Sequence, residues 1–447
     1  MQTASKKVIN GWAMYDWANS VYNLVITTTF FPIYFTAIAK DDGKGDVVTF
    51  LGRKFVNSSL YDYSLALAYL LIALSYPVLT SIADTRGNKK SFMKFFCYMG
   101  ALGCSMLFFF KDVSWLWLGI LGFMMAAMGF VGSLVFYNAY LPEIAAPEDQ
   151  DRVSAKGFSY GYIGSVLMQM IGFGLVLFMK GNEGEATRIT FLLVGIWWVS
   201  FAQITFARLP KTSMQMVSKQ GNVFKDGFRE VKKVYTEVKG MPVLKRFLRA
   251  FFFYSMGVQT VMLAATLFGS KLLQLPDTKL ILTVVAIQLV AIVGAMLMSR
   301  LSARFGNFKV LMGVVIFWIV ICVAAFYTAQ YKEQGGNPEY GFYLLAMAVG
   351  LVMGGIQSLS RSTYSKLMPE TKDTASYFTY YDITEKIAIV IGMFSFGYIE
   401  EIFGNMKYSV LSLIIFFAIG LVWLYLALKK QQETPQGAIE ALEGLAV

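Results

Sequence analysis

The chain contains no histidine in its 447 residues. With imidazole it loses the commonest metal ligand and the side chain that most readily carries a proton near neutral pH. A Ser–His dyad is excluded as well. Cysteine is scarce. Cys97, Cys104 and Cys322 stand singly inside apolar stretches with no CxxC spacing, which argues against zinc or structural disulfides and for buried packing thiols. No Walker loop and no HExxH segment occurs. The expectation is a protein with no metal, no cofactor and no enzymatic centre. Charge is also thin: 15% of residues are Asp, Glu, Lys or Arg, against about 25% in soluble domains, too little to cover a water-soluble fold of this size.

Apolar residues fill the space, at 56% of the chain, gathered in blocks about as long as the 20 residues that cross a hydrocarbon layer. Inside lipid the backbone must satisfy its own hydrogen bonds, so the blocks read as helices and the fold class as all-α integral membrane. Hydropathy gives twelve spans: 12–39, 59–83, 91–110, 114–140, 156–179 and 188–208, then 246–272, 278–299, 309–329, 341–366, 375–399 and 407–428. Asp16 and Asn19 interrupt the first block, which is too long for a cleavable signal peptide.

Twelve spans put both termini on one side, and roughly seven in ten of the 39 Lys and Arg share that side, so both termini are expected in the cytoplasm and the protein in the inner cell membrane. The net charge of +11 then reflects topology and anionic lipid rather than nucleic acid. The expected partners are a small solute, protons and bilayer lipid, with the chain working as a monomer.

The longest hydrophilic stretch falls mid-chain. The domain reading is a six-helix bundle over 1–208, a cytoplasmic linker over 209–245, a second six-helix bundle over 246–430 and a tail over 431–447. Within the linker, Phe224, Phe228, Val231, Tyr235 and Val238 recur at helical spacing opposite Lys225, Arg229, Lys232, Lys233 and Lys239, an amphipathic helix suited to the membrane surface.

Two echoes mark a duplication. Tyr137-Asn-Ala-Tyr-Leu-Pro-Glu143 ends the fourth span as Tyr364-Ser-Lys-Leu-Met-Pro-Glu370 ends the tenth. Gly87, Asn88 and Lys90 after the second span match Gly306, Asn307 and Lys309 after the eighth. Parallel halves place a binding site between them near mid-membrane.

The segment Asp84-Thr-Arg-Gly-Asn-Lys-Lys90 resembles the signature Gly-x-x-x-Asp-Arg-x-Gly-Arg-Arg of major facilitators, with Thr80, Thr85 and Asn88 departing from it. The resemblance implies that Asp84, Gly87 and Lys89 latch a cytoplasmic gate, with Arg86 and Lys90 as further basic partners. Trp12-Ala-Met-Tyr-Asp-Trp-Ala-Asn-Ser20, Thr29-Phe-Phe-Pro-Ile-Tyr-Phe35, Phe136-Tyr-Asn-Ala-Tyr-Leu-Pro-Glu-Ile144, Lys156-Gly-Phe158 with Gly161-Tyr162, and Gly354-Gly-Ile-Gln-Ser-Leu-Ser-Arg361 are similar to motifs of the vacuole effluxer-like subfamily. That resemblance implies two pseudo-symmetric six-helix bundles and, through fungal members linked to amino-acid release from vacuoles, a small zwitterionic solute.

Ionisable groups inside spans are costly and face a cavity or a partner. Asp16, Asn19, Ser20 and Asn23 fall on one stripe of the first span at 100° per residue. In a facilitator fold that stripe lines the solute path; the plain alternative is an Asp16 pair with a loop cation. In the eleventh span Asp382, Glu385 and Lys386 share a face, Lys386 about 16 Å deep at 1.5 Å per residue. Two acids beside one base leave a carboxylate to exchange protons or, on the other reading, a static salt bridge. Tyr137, Asn138, Tyr160, Tyr162, Gln259 and Gln357 are further candidate contacts. Arg361 sits close enough to the cytoplasm to snorkel to the interface and serve gating; inside a cavity it would favour a carboxylate. Gly157-x-x-x-Gly161 and Gly350-x-x-x-Gly354 read as close helix contacts, and Pro32 and Pro77 as kinks.

These features read as a secondary transporter working by alternating access on a small solute; an amino acid or related zwitterion suits the mixture of amides, tyrosines and both charge signs, and proton coupling is one of the two readings of the eleventh span. A lipid or amphiphile transporter and a non-transporting membrane sensor are the rival readings on the same fold.

Overall fold

The computed structural model describes residues 2–41, 45–86, 88–210 and 223–433. It is helical apart from one hairpin. The first span is α1 (Lys6–Val21), a π-helical stretch Tyr22–Phe30 and α2 (Phe31–Ile38). The hairpin β1 (Val47–Phe50) and β2 (Arg53–Val56) follows, with Val47 opposite Val56 and Phe50 opposite Arg53. Then come α3 (Asn57–Arg86), α4 (Lys89–Met106), α5 (Leu116–Ala139), the short α6 (Leu141–Ile144), α7 (Gln150–Phe178) and α8 (Glu183–Arg208). After the linker run α9 (Val223–Gly240), α10 (Pro242–Leu267) with a π-helical end Phe268–Leu272, α11 (Asp277–Phe305), α12 (Asn307–Glu333), α13 (Glu339–Leu367), α14 (Thr374–Phe403) and α15 (Met406–Glu433).

Eleven stretches among the described residues are long and apolar enough to cross a bilayer. The twelfth predicted span, α14, has the length at 30 residues but carries Asp382, Glu385 and Lys386. Large apolar side chains stand exposed along these helices, Leu282 at 69% and Phe394 at 74%, as a hydrocarbon solvent permits and water does not.

The chain forms two compact units, Met1–Val231 with Thr371–Thr379, and Lys232–Glu370 with Tyr380–Val447. The first turns of α14 thus belong to unit 1 and the rest of that helix to unit 2. In unit 1, α4 and α5 touch backbone to backbone: a Cβ on Gly103 would lie 2.5 Å from the Gly122 carbonyl oxygen and the Ala126 nitrogen. In unit 2 the same closeness joins α11 and α13, where a Cβ on Gly354 would overlap the Ala291 carbonyl and one on Gly294 the Leu351 carbonyl. The Gly350/Gly354 spacing is therefore a packing device.

Pro32 sits in the first turn of α2, directly after the π-helix. Proline supplies no N–H to the helical ladder. The widened stretch releases carbonyls that side chains take up. Leu24 O accepts from Thr28, Thr29 and Gln169 at 2.8–2.9 Å, and Thr27 O accepts from the Tyr61 hydroxyl at 2.8 Å.

The segment ahead of α1 is tied down in unit 1. Ala4 N–H donates to Ile144 O at 2.8 Å and the Thr3 hydroxyl donates to Asp149 at 2.6 Å. The Thr3 hydroxyl and Arg152 together hold the Asp149 carboxyl below the usual carboxylate range.

In the linker, α9 buries Val234 and Val238 within unit 2, while Tyr235 is 44% exposed and meets the Tyr380 ring at 6.4 Å. The expected apolar face thus holds at Val238 but is turned at Tyr235. The side chains of Phe224, Lys225, Phe228 and Val231 lie outside the described residues.

Candidate functional site

Three polar clusters stand out among the described residues. The first joins α1 to α5 in unit 1. The Tyr137 hydroxyl donates to Asp16 Oδ2 at 2.7 Å. The Trp12 ring stacks on Tyr137 at 4.4 Å, and its indole N–H donates to Tyr137 O at 3.0 Å. Asp16 is buried at 5% exposure. One turn on, Asn19 is fully buried, and neither its amide oxygen nor its nitrogen has a hydrogen-bond partner among the described residues. Asn23 falls within the π-helix and is half-buried. Asn138 is buried at the end of α5. On α7, the Lys156 ammonium lies 5.7 Å from the Tyr160 ring, and Tyr162 packs with Phe158.

The second cluster anchors the start of α14 in unit 1. Lys89, 1% exposed, pairs with Asp84 at 3.3 Å and Glu143 at 2.5 Å, and donates to the Thr374 hydroxyl at 2.6 Å. Asp84 accepts from the Ala375 N–H at 3.3 Å and from the Ser376 N–H and hydroxyl at 2.8 Å each. A carboxylate on the free N–H groups at a helix start satisfies them and complements the helix dipole. The Thr379 hydroxyl donates to Thr80 at 3.0 Å, so the threonine at the signature's first glycine position supplies a contact of its own. The expected pairing of Asp84 with Lys89 is present, whereas Lys90 points elsewhere. Its ammonium donates to Phe206 O at 3.2 Å and Leu209 O at 2.5 Å, capping the end of α8. Gly87 and the Arg86 side chain lie outside the described residues. Glu143, Thr374 and Ser376 were not foreseen. Glu143 was visible as part of the repeated Pro-Glu pair, but Ser and Thr at a helix start carry no distinguishing signal.

The third cluster lies in unit 2. The Gln259 amide on α10 donates to Glu385 Oε1 at 3.1 Å, and Lys386 pairs with Glu385 Oε2 at 3.1 Å. The Gln357 amide on α13 donates to the Met262 sulfur at 3.4 Å. Arg361 is 3% exposed and does not snorkel. Together with Asp382 and Glu385 it lies within electrostatic reach of Tyr381. Arg361 thus adds a second basic group near the two acids of α14. Aromatic rings surround the group: Tyr381 stacks on Phe251 at 4.2 Å and meets Tyr364 at 4.9 Å, and Tyr254 shares a 2.6 Å hydrogen bond with Ser360.

This all-helical membrane architecture matches solved major facilitator structures. The human organic anion transporter MFSD10 (TETRAN) superposes with a TM-score of 0.72 at 12% identity, over 94% of this chain and 99% of that one. Along the sequence, residues 4–436 match the family model described as vacuole effluxer Atg22 like, and the chain belongs to that family of major facilitator transporters. It is 31% identical over 424 residues, 93% of each chain, to the "Uncharacterized MFS-type transporter YxiO" of Bacillus subtilis (strain 168). It is 23% identical to the "Autophagy-related protein 22" of Kluyveromyces lactis, over 93% of this chain and 92% of that one. The protein is an integral membrane secondary transporter and not an enzyme.

Proposed function

We propose that the chain carries an amino acid or related zwitterion across the bilayer by alternating access, with protons coupled through carboxylates of α14. The observation that supports this most is the group of both charge signs in unit 2, with Arg361 and Asp382 buried and Lys386 paired with Glu385. Arg361 offers a bidentate partner for a substrate carboxylate, while Asp382 and Glu385 offer partners for an ammonium. Membership of a family named for vacuole effluxers points the same way.

In this reading a substrate carboxylate arriving at Arg361 competes with the neighbouring acids for it. The carboxylate left unpaired in a dry site favours its protonated form. Coupling to protons thus needs no histidine. The unit 1 cluster of Asp16, Asn19, Asn23, Tyr137 and Asn138 serves as a second contact set, with Gln259 and Gln357 in unit 2. Leaving both ends of the Asn19 amide unpaired costs about 1–3 kcal/mol per group, so a ligand or water that satisfies it is stabilising. Release and recapture of the α14 start by Asp84 and Lys89 control the gate, with Arg86, Gly87, Lys90 and Arg361 in supporting roles. Residues 1–208 and 246–430 act as the two bundles, joined by 209–245, and both termini face the cytoplasm.

The test is flux into proteoliposomes of a panel of amino acids, sugars and organic acids, with and without a pH gradient. An amino acid moves in wild type and is driven by the gradient; Asp382→Asn keeps exchange and loses the gradient dependence. Flux of another solute class with none for amino acids rejects the substrate reading. Ligand binding without flux under any gradient rejects transport of that ligand.

A further inference from the structure

A groove of about 390 Å³ opens on unit 2 between α11, α12 and α13. Its lining includes Met298, Leu301, Phe305, Phe317 and Leu351, together with Gly313, where an added Cβ would meet nothing within 4 Å. Phe305 and Phe317 are exposed, so the groove faces the surroundings of the helices and not their core. It follows α12 from Lys309 to Phe317, eight residues or about 12 Å at 1.5 Å per residue.

The polarity of the groove is one-sided. Lys309 stands at one end, and the exposed Arg304 and Arg300 lie on the adjoining end of α11. None of the three has a hydrogen bond or ion pair to a carboxylate among the described residues; Arg304 only lies over the Phe305 ring at 5.4 Å. The rest of the lining is hydrocarbon. An open apolar slot in a bilayer gains dispersion contacts when a chain fills it, and cations at one end select an anion on that chain. The positive-inside pattern puts these cations at the leaflet that carries anionic lipid.

We propose that this groove is a binding site for an anionic phospholipid, with one acyl chain lying against Gly313 and the phosphate held by Lys309 and Arg304. The site is separate from the three polar clusters and does not depend on which solute is carried.

The test uses the full chain in a mild detergent with phosphatidylglycerol or phosphatidylcholine of the same acyl chains, read by thermal shift and by lipid retained in native mass spectrometry. Wild type retains phosphatidylglycerol preferentially and melts higher with it. Gly313→Leu, which fills the slot, loses both effects, while Gly313→Ala keeps them. Lys309→Gln with Arg304→Gln, both at the surface and expected to leave folding intact, lowers the preference for phosphatidylglycerol roughly tenfold and leaves phosphatidylcholine unaffected. Three outcomes overturn the proposal: equal retention of the two lipids by wild type, an unchanged preference in Gly313→Leu or in the double charge variant, or the same shift from inorganic phosphate alone.

Discussion

Asp84 receives two hydrogen bonds from Ser376, one from the backbone N–H and one from the hydroxyl, each at 2.8 Å. The two residues are 292 positions apart, so the last turn of α3 holds the start of α14. Asp84→Asn keeps the shape but removes the charge that complements the helix start. A loss of about 1–2 kcal/mol is expected, read as a lower melting temperature in detergent, together with altered flux.

Lys89 is the sole cation shown against both Asp84 and Glu143 among the described residues. Lys89→Met leaves two acids unpaired in a buried place, and a cost of about 3–5 kcal/mol is expected. Adding Glu143→Gln removes one of those acids, so the double variant should recover part of the loss. A thermal double-mutant cycle with coupling near zero would refute the shared ion pair.

Two glycines on neighbouring helices should respond in opposite directions. Gly354→Ala drives a methyl into the Ala291 carbonyl and should destabilise by about 1–3 kcal/mol. Gly313→Ala meets open space in a helix interior and should stabilise by roughly 0.5–1 kcal/mol. Melting curves of the two variants against wild type decide this directly.

The tie between Thr3 and Asp149 should be sensitive to acid. The folded carboxyl titrates lower than an ordinary one, so its contribution is complete above the unstructured value of about 3.9 and is lost as pH falls through the folded value. Hydrogen exchange at the Ala4 N–H, which bonds to Ile144 O, should stay slow above pH 5 and accelerate below about pH 4 beyond the intrinsic trend. In Asp149→Asn that acid-dependent step should vanish.

Much of the architecture is legible in hydropathy because lipid leaves the backbone few options. The Asp84–Lys89 pair is legible because a signature of fixed spacing carries it. The partners of Lys89 are not: Glu143 and Thr374 reach it from distant spans, and nothing local marks them as its ligands. Lys90 shows the opposite limit. Adjacent in sequence to Lys89, it points a helical step away and caps α8 instead. Depth alone places Arg361 within snorkelling reach of the interface; in the structure it is 3% exposed. The hairpin Val47–Val56 went unread, although Leu51-Gly52 between two four-residue strands, both with positive φ, is its turn.

The π-helical stretch in the first span sets the rotational phase of everything after it. Phe31, Tyr34 and Phe35 beyond it meet Phe123, Phe191 and Phe110 in a shared aromatic pack, while Trp12 and Asp16 before it face Tyr137. Both ends are in phase only because the widened turns between them absorb surplus residues. Deleting one residue from Tyr22–Phe30 would turn the far half by about 100° and swing that aromatic face off its partners. A single-residue loss that an outer loop would absorb unnoticed therefore becomes, at this point in the chain, a loss of the whole span.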